Sequence, residues 1–281
     1  MTILITGATG RMGSTVIEAL TERDAPVRAL VRRPEAAAEL PAGVEVAVGD
    51  LTEPASLDGA LRGVESVFLV WTAPPDTAGA VVDRVAAQAR RVVYLSAPHR
   101  TPHPFFQQPN PMAALHARVE ELLAAAGIGA TMIRPGMFAS NALHWWGADI
   151  RAGRAVRWPY GAVETAPVDD RDVAEVVARA LCEDGHAGGD YVLTGPESLG
   201  QAEQVRVIGQ VLGRAVAFEE LAPAEFRLGP ATAMLLAAWE ASAGRRAYVT
   251  STIAGVLGRP PRTFRQWVTD HAGEFSSRRA A

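Results

Sequence analysis

The stretch Thr2-Ile3-Leu4-Ile5-Thr6-Gly7-Ala8-Thr9-Gly10-Arg11-Met12-Gly13 decides the fold. An apolar, β-branched run leads into Gly-x-x-Gly-x-x-Gly, and a helical pattern follows from Met12 to Glu22. Strand, tight turn and helix in that order call for glycine at set places. Gly7 makes the turn, Gly10 lets the backbone approach a pyrophosphate, and Gly13 lets the helix lie close on the strand. The helix amino end then offers N–H groups and a positive dipole end to an anion. Thr9, Arg11 and Met12, inside the turn, are expected to face the same ligand.

Working outward, further strands are predicted at Val27 to Val31, Val44 to Val48, Ser66 to Val70, Val92 to Ser96 and Ala130 to Arg134. Helical patterns fall between them, at Asp76 to Arg90 and Met112 to Ala126 among others. Apolar strands alternating with helices predict an α/β fold, a Rossmann-type doubly wound parallel sheet over residues 1–135. After Pro135 the texture changes. Residues 136–168 read as loop-rich and aromatic, with a helix from Asp170 to Leu181 and a strand at Tyr191 to Thr194. Helices are predicted near Ala202 to Leu212, Pro223 to Leu228, Ala231 to Ala243 and Thr263 to Ala272. Residues 136–281 are thus expected to form a smaller, mainly helical substrate-binding lobe, interleaved with the sheet.

Composition narrows the function. The 281 residues are 48% hydrophobic and 21% charged, so the chain can bury a core. A net charge of −4 argues against a nucleic-acid or anionic-membrane surface. The single cysteine, Cys182, excludes an internal disulfide framework and a cysteine-rich metal site. No apolar run reaches the length of a membrane span, and no basic-then-apolar leader precedes the first strand; a cytoplasmic protein is expected. The sequence contains no lysine: all 27 basic residues are arginine. Mechanisms that need a lysine amine are therefore excluded.

The strand ends name the ligand's neighbours. About 20 residues beyond the glycines, where an NAD site carries an acid for the ribose 2′-hydroxyl, the chain has Arg32 and Arg33. Guanidinium groups suit a 2′-phosphate, which favours NADPH, while nearby Glu35 keeps NADH open. Asp50 could accept from the adenine amino group, with Leu51 against the ring. Trp71 and Thr72 end the fourth strand and are expected to line the cofactor ribose; core packing is the other reading of Trp71.

Taken together, the motifs resemble the NmrA-like branch of the atypical short-chain dehydrogenase/reductases. They are Gly7-Ala8-Thr9-Gly10-x-x-Gly13, Gly49-Asp50-Leu51, Tyr94-Leu95-Ser96, Arg134-Pro135-Gly136-x-Phe138-x-x-Asn141, Val168-Asp169-Asp170-x-Asp172 and Gly258-Arg259-Pro260-Pro261-Arg262-Thr263-Phe264. The resemblance implies NAD(P) binding by the larger lobe and a substrate cleft between the lobes. It covers NADPH-dependent quinone and carbonyl reductases as well as cofactor-sensing regulators. One departure is plain. Short-chain reductases carry Tyr-x-x-x-Lys on the helix after the fifth strand, and those places align with Met112 and His116.

His116 is a candidate proton donor or ribose ligand, imidazole being the side chain suited to proton transfer near neutral pH, and Ser96 a candidate partner for a substrate carbonyl. A phenol beside the reacting ketone could also supply its own proton. A zinc site at His99 and His103 is set aside, because Pro102 and Pro104 oppose a helix there and no cysteine joins. Asp169, Asp170 and Asp172 read as helix capping and dipole complement, not as metal ligands. Phe105 and Phe106, then Phe138, Trp145, Trp146, Trp158 and Tyr160, suggest a flat apolar substrate or a hydrophobic hinge between lobes. The expected function is NADPH-dependent reduction of a ketone or quinone on an aromatic, polyketide-like small molecule. The alternative is an NAD(P)-sensing regulator. No metal, nucleic acid or membrane partner is expected, and the oligomeric state is open.

Overall fold

The computed structural model describes residues 2–276. In chain order the elements are β1 (Thr2–Ile5), α1 (Arg11–Thr21), β2 (Val27–Val31), β3 (Glu45–Val48), α2 (Leu57–Ala60), β4 (Val64–Val70), α3 (Ala78–Gln88), β5 (Arg91–Leu95), α4 (Pro111–Ala125) and β6 (Thr131–Pro135). There follow α5 (Asn141–Arg151), β7 (Val156–Trp158), β8 (Glu164–Thr165), α6 (Asp170–Cys182), β9 (Asp190–Leu193), β10 (Leu199–Gly200) and α7 (Gln201–Val211). The last are β11 (Phe218–Glu220), α8 (Thr232–Ser242), α9 (Thr252–Leu257) and α10 (Phe264–Asp270).

One seven-stranded sheet runs in the order β3-β2-β1-β4-β5-β6-β9. Its first six strands pair in parallel. The Met132 N–H donates to the Gly189 carbonyl and the Gly136 N–H to that of Leu193, so β9 continues the parallel sheet beside β6. The strand expected at Tyr191 to Thr194 thus completes the large sheet. The order reverses at β1, and Thr6 locks that point. Its hydroxyl donates to the Val70 carbonyl at 3.0 Å and accepts from the Val70 N–H at 2.7 Å. Ligands of such sheets sit beyond the carboxyl ends at the reversal.

The described chain forms two compact units. The first comprises residues 2–97, 111–134 and 173–191; the second comprises 98–110, 135–172 and 192–276. Most of α6 belongs to the first unit, because its carboxyl end is tied to the sheet there. The Ser66 hydroxyl and the Arg91 guanidinium both donate to the Leu181 carbonyl, at 3.1 and 2.7 Å.

The second unit holds α5, α7, α8, α9 and α10 with two small strand pairs, β8–β10 antiparallel and β7–β11 parallel. Its core is aromatic: Trp146, Trp158, Trp239, Trp267, Phe226 and Phe264 are buried together. Residues 136–168, expected as loop, contain the helix α5. Its buried face of Ala142, Trp146 and Ile150 recurs at helical spacing. The helix expected at Pro223 to Leu228 is only a turn of 3₁₀ helix, Pro223–Glu225. At the start of α6, Asp169 caps the helix by accepting from the Arg171 N–H at 2.9 Å. Buried Asp172 accepts from the Arg259 guanidinium at 2.8 Å and the Arg262 N–H at 2.6 Å. Among the described residues no helix is long and apolar enough to cross a membrane, and no cluster of three or more His, Cys, Asp or Glu is placed to hold a metal ion.

Candidate cofactor and active site

A cavity of about 380 Å³ opens at the carboxyl ends of β1 to β4, entirely within the first unit. Gly7, Thr9, Gly10, Arg11, Met12 and Gly13 line it, with Arg32 and Arg33 after β2, Asp50 and Leu51 after β3, and Thr72 after β4. The turn is built as the glycines require. Gly7 has φ +61°, a left-handed conformation that costs a side-chain-bearing residue energy. A Cβ on Gly13 would stand 2.1 Å from the Gly7 carbonyl oxygen. Gly10 is the N-cap of α1 and provides no side-chain cap, so the helix amino end meets the cavity through backbone N–H groups. A bare helix terminus, room beside it and two exposed arginines fit a dinucleotide carrying phosphates.

Several wall residues were not legible in the sequence, among them Thr6, Leu30, Val31, Ala36, Glu39 and Val70. The backbone carries the chain past the ligand at these places, and no side-chain signature marks them. Glu35 is absent from the wall, while Glu39 belongs to it. Asp50 is partly engaged, since one carboxylate oxygen accepts from the Thr52 N–H at 2.8 Å.

Trp71 requires a correction. It is 6% exposed, and its indole N–H donates to the Ala73 carbonyl at 2.6 Å. Val70 and Thr72 line the cavity; Trp71, between them, turns into the core cluster with Leu4, Leu30 and Leu69. Successive side chains of an extended chain leave on opposite sides, so Trp71 and its neighbours cannot all face the ligand.

Ser96 is also corrected as a candidate for touching substrate. It is buried, and its hydroxyl donates to Oε1 of Glu120. It also accepts from Arg134 Nη1 at 3.2 Å. Arg134 and Glu120 form a bidentate pair at 2.6 and 3.0 Å, with side chains 1% and 3% exposed. Arg134 further reaches Asp190 and the Ala97 carbonyl. The guanidinium's pKa lies above its ordinary value: burial opposes the charge, but the carboxylates of Glu120 and Asp190 outweigh it. Ser96 therefore belongs to a closed polar network beneath the end of β5.

His116 stands in the second turn of α4, outside the walls of this cavity. Its Nδ1 lies 2.7 Å from the Tyr94 hydroxyl on β5. A tyrosine in an apolar strand reads as core, so the sequence alone did not suggest this partner.

Of the aromatic candidates, Trp146 is corrected to core. It is 1% exposed, edge-on to Trp158 with ring centroids 5.9 Å apart. Trp145 is half-buried and stacks on Trp158 at 5.3 Å. Phe138 is half-buried, bridging to Val168. Phe105 sits edge-to-face on Phe106 at 5.0 Å, and both line a small pocket with Met137 and Tyr248 inside the second unit.

Comparison with known proteins agrees with this geometry. Residues 7–184 match a family described as NAD(P)H-binding. The chain is 38% identical to the (4-alkanoyl-5-oxo-2,5-dihydrofuran-3-yl)methyl phosphate reductase of Streptomyces griseus, over 98% of this chain and 99% of that one. It is 32% identical to an NAD(P)H azoreductase of Xenophilus azovorans, again over 98% and 99%. The NADPH complex of the Escherichia coli quinone oxidoreductase QOR2 superposes with a TM-score of 0.81 at 26% identity, covering 95% of this chain and 99% of that one. The chain belongs to the NAD(P)H-binding family of NmrA-like atypical short-chain dehydrogenase/reductases. It binds NAD(P)H and is an NAD(P)H-dependent reductase.

Proposed function

We propose that the chain reduces a ketone or quinone carbonyl of a flat, aromatic small molecule with NADPH, without a Tyr-x-x-x-Lys pair. NADPH, when bound, supplies the hydride. The carrying observation is the pair Arg32 and Arg33 on the wall of the dinucleotide cavity, in a chain that has no lysine. Two guanidinium groups suit the 2′-phosphate by charge-assisted bonding. The glycine turn and the amino end of α1 hold the pyrophosphate, and Asp50 with Leu51 meets the adenine.

The second unit is proposed to bind the substrate, with Phe105, Phe138 and half-buried Trp145 as its aromatic contacts. His116, at the family's lysine place, is proposed to donate a hydrogen bond at the reacting end. An acceptor that delocalises incoming charge needs less help from a protein acid, which suits a site lacking the tyrosine–lysine pair. A second reading, hydride addition to a carbon–carbon double bond conjugated to a carbonyl, is favoured by the 38% identical relative, whose named substrate carries two carbonyls on one unsaturated ring.

The test is NADPH consumption at 340 nm with a 1,4-quinone, a conjugated butenolide and an unconjugated ketone. Oxidation with the quinone or the ketone supports carbonyl reduction, and oxidation with the butenolide alone favours the second reading. Stoichiometric NADPH binding with no consumption by any acceptor overturns it in favour of a sensor.

A further inference from the structure

Tyr94 is the penultimate residue of β5 and is fully buried. Among the described residues, its hydroxyl has one hydrogen-bond partner, His116 Nδ1 at 2.7 Å. The two rings lie 5.7 Å apart and inclined at 57°, so the contact is edge-directed and not a stack. Tyr94 pairs in register with Leu69 of β4, and Val70 and Thr72 just beyond that residue line the dinucleotide cavity. The pair therefore stands at the carboxyl end of the sheet, on the strand next to the cavity wall.

A buried phenol must place its one proton on an acceptor. With Nδ1 of His116 as the only acceptor in reach, the Tyr94 O–H donates and Nδ1 accepts. A neutral imidazole that accepts at Nδ1 carries its proton on Nε2. Were the ring to hold its proton on Nδ1, the Tyr94 oxygen would accept and its own buried O–H would be left without an acceptor.

We propose that Tyr94 is a positioning residue: its buried hydroxyl holds His116 in the Nε2–H form and turns that N–H toward the reacting end of the site. The inference rests on the role given to His116 above. His116 then acts as a fixed hydrogen-bond donor to the substrate oxygen that gains charge as hydride reaches the carbon; that oxygen takes its proton from water, NADPH leaves as NADP+, and no proton passes through the pair. Burial, aided by the charge of Glu120, raises the Tyr94 pKa, so the phenol keeps its proton across the working range. A relay that left tyrosinate behind is correspondingly opposed.

The direct test reads the wild-type imidazole itself. The full chain is labelled with ¹⁵N-histidine, and the imidazole nitrogens are observed at pH 7, with His116 assigned by the signals lost in His116→Gln. The expected spectrum has His116 protonated at Nε2 and pyridine-like at Nδ1. Tyr94→Phe keeps the ring but removes the hydroxyl. Its expected spectrum is a mixture of tautomers, with turnover lowered about tenfold and the KM for NADPH unchanged, the loss of one hydrogen bond. Tyr94→Phe combined with His116→Gln should be no slower than His116→Gln alone.

A proton on Nδ1 in the wild-type chain overturns the proposal even if the variant fails to fold, and so does an unchanged spectrum in Tyr94→Phe. Full turnover in His116→Gln also overturns it. If instead the wild-type chain consumes no NADPH with any acceptor, the reductase reading with its substrate class fails while the spectrum still reports on the pair.

Discussion

Gly13 lies so close beneath the carbonyl of Gly7 that a Cβ at position 13 would stand 2.1 Å from its oxygen and 2.8 Å from the Ala8 Cα. Both neighbours are backbone and cannot swing aside. The separation of β1 from α1, and with it the shape of the phosphate turn, is set by a missing methyl group. Gly13→Ala should therefore destabilise the chain by about 1–3 kcal/mol, the usual range for forced overpacking. It should weaken NADPH binding in parallel. Thermal unfolding together with fluorescence titration checks both; an unchanged Tm would contradict the close approach.

Arg32 and Arg33 are exposed, so their replacement should spare the fold. Charge-assisted bonds are worth about 1.5–3 kcal/mol, so Arg32→Ala with Arg33→Ala should weaken NADPH binding by about a hundredfold and leave NADH nearly unchanged. Titration of the double variant with each nucleotide decides. Equal losses for both would mean that the arginines do not meet the 2′-phosphate.

The Glu120–Arg134 pair is buried and bidentate, and breaking such a pair strands a charge. Glu120→Ala should cost about 3–5 kcal/mol and lower the Tm by about 10 °C. Because Ser96 donates to the same carboxylate, Ser96→Ala should have a smaller effect on stability. A large, selective loss of turnover in Ser96→Ala, with the Tm intact, would contradict its placement in this network.

Cys182 is the only thiol, and burial pushes its pKa above the ordinary value against the lowering influence of Arg23 and Arg91. The thiolate is the reactive form, so a raised pKa means less of it at a given pH. Alkylation by iodoacetamide at about pH 8 should be slower than for an unhindered thiol, and it should accelerate as the pH rises past the usual value of about 8.5. Rapid modification at neutral pH would contradict this.

The sheet and its glycine turn were legible in the sequence because their signals are local. A buried parallel strand is a continuous apolar run, and Gly7, Gly10 and Gly13 have few other reasons to recur before a helix. What stayed hidden depends on direction or on distant partners. Trp71 carries the same letter whether it faces ligand or core, and only the alternation of the chain after β4 decides. Helix α5 was obscured by its tryptophans, which resemble a loop-borne aromatic cluster until Trp146 is seen packed on Trp158. Ser96 looked like a free strand end because Glu120 and Arg134, which enclose it, come from two later elements. Tyr94 and His116 are 22 residues apart and meet only because α4 folds back along β5.

The central claim is that the first turn grips a pyrophosphate. Gly10 has an ordinary extended φ of −80°, and a Cβ there would meet only the Gly7 oxygen, at 3.2 Å. Gly10→Asp should therefore fold with a Tm close to the parent while placing a carboxylate where the phosphates lie. Calorimetric titration with NADPH should show one site in the parent chain and a loss of affinity of at least about a hundredfold in the variant, in keeping with like charges meeting at a helix amino end. Undiminished NADPH affinity in a well-folded Gly10→Asp chain would contradict the account.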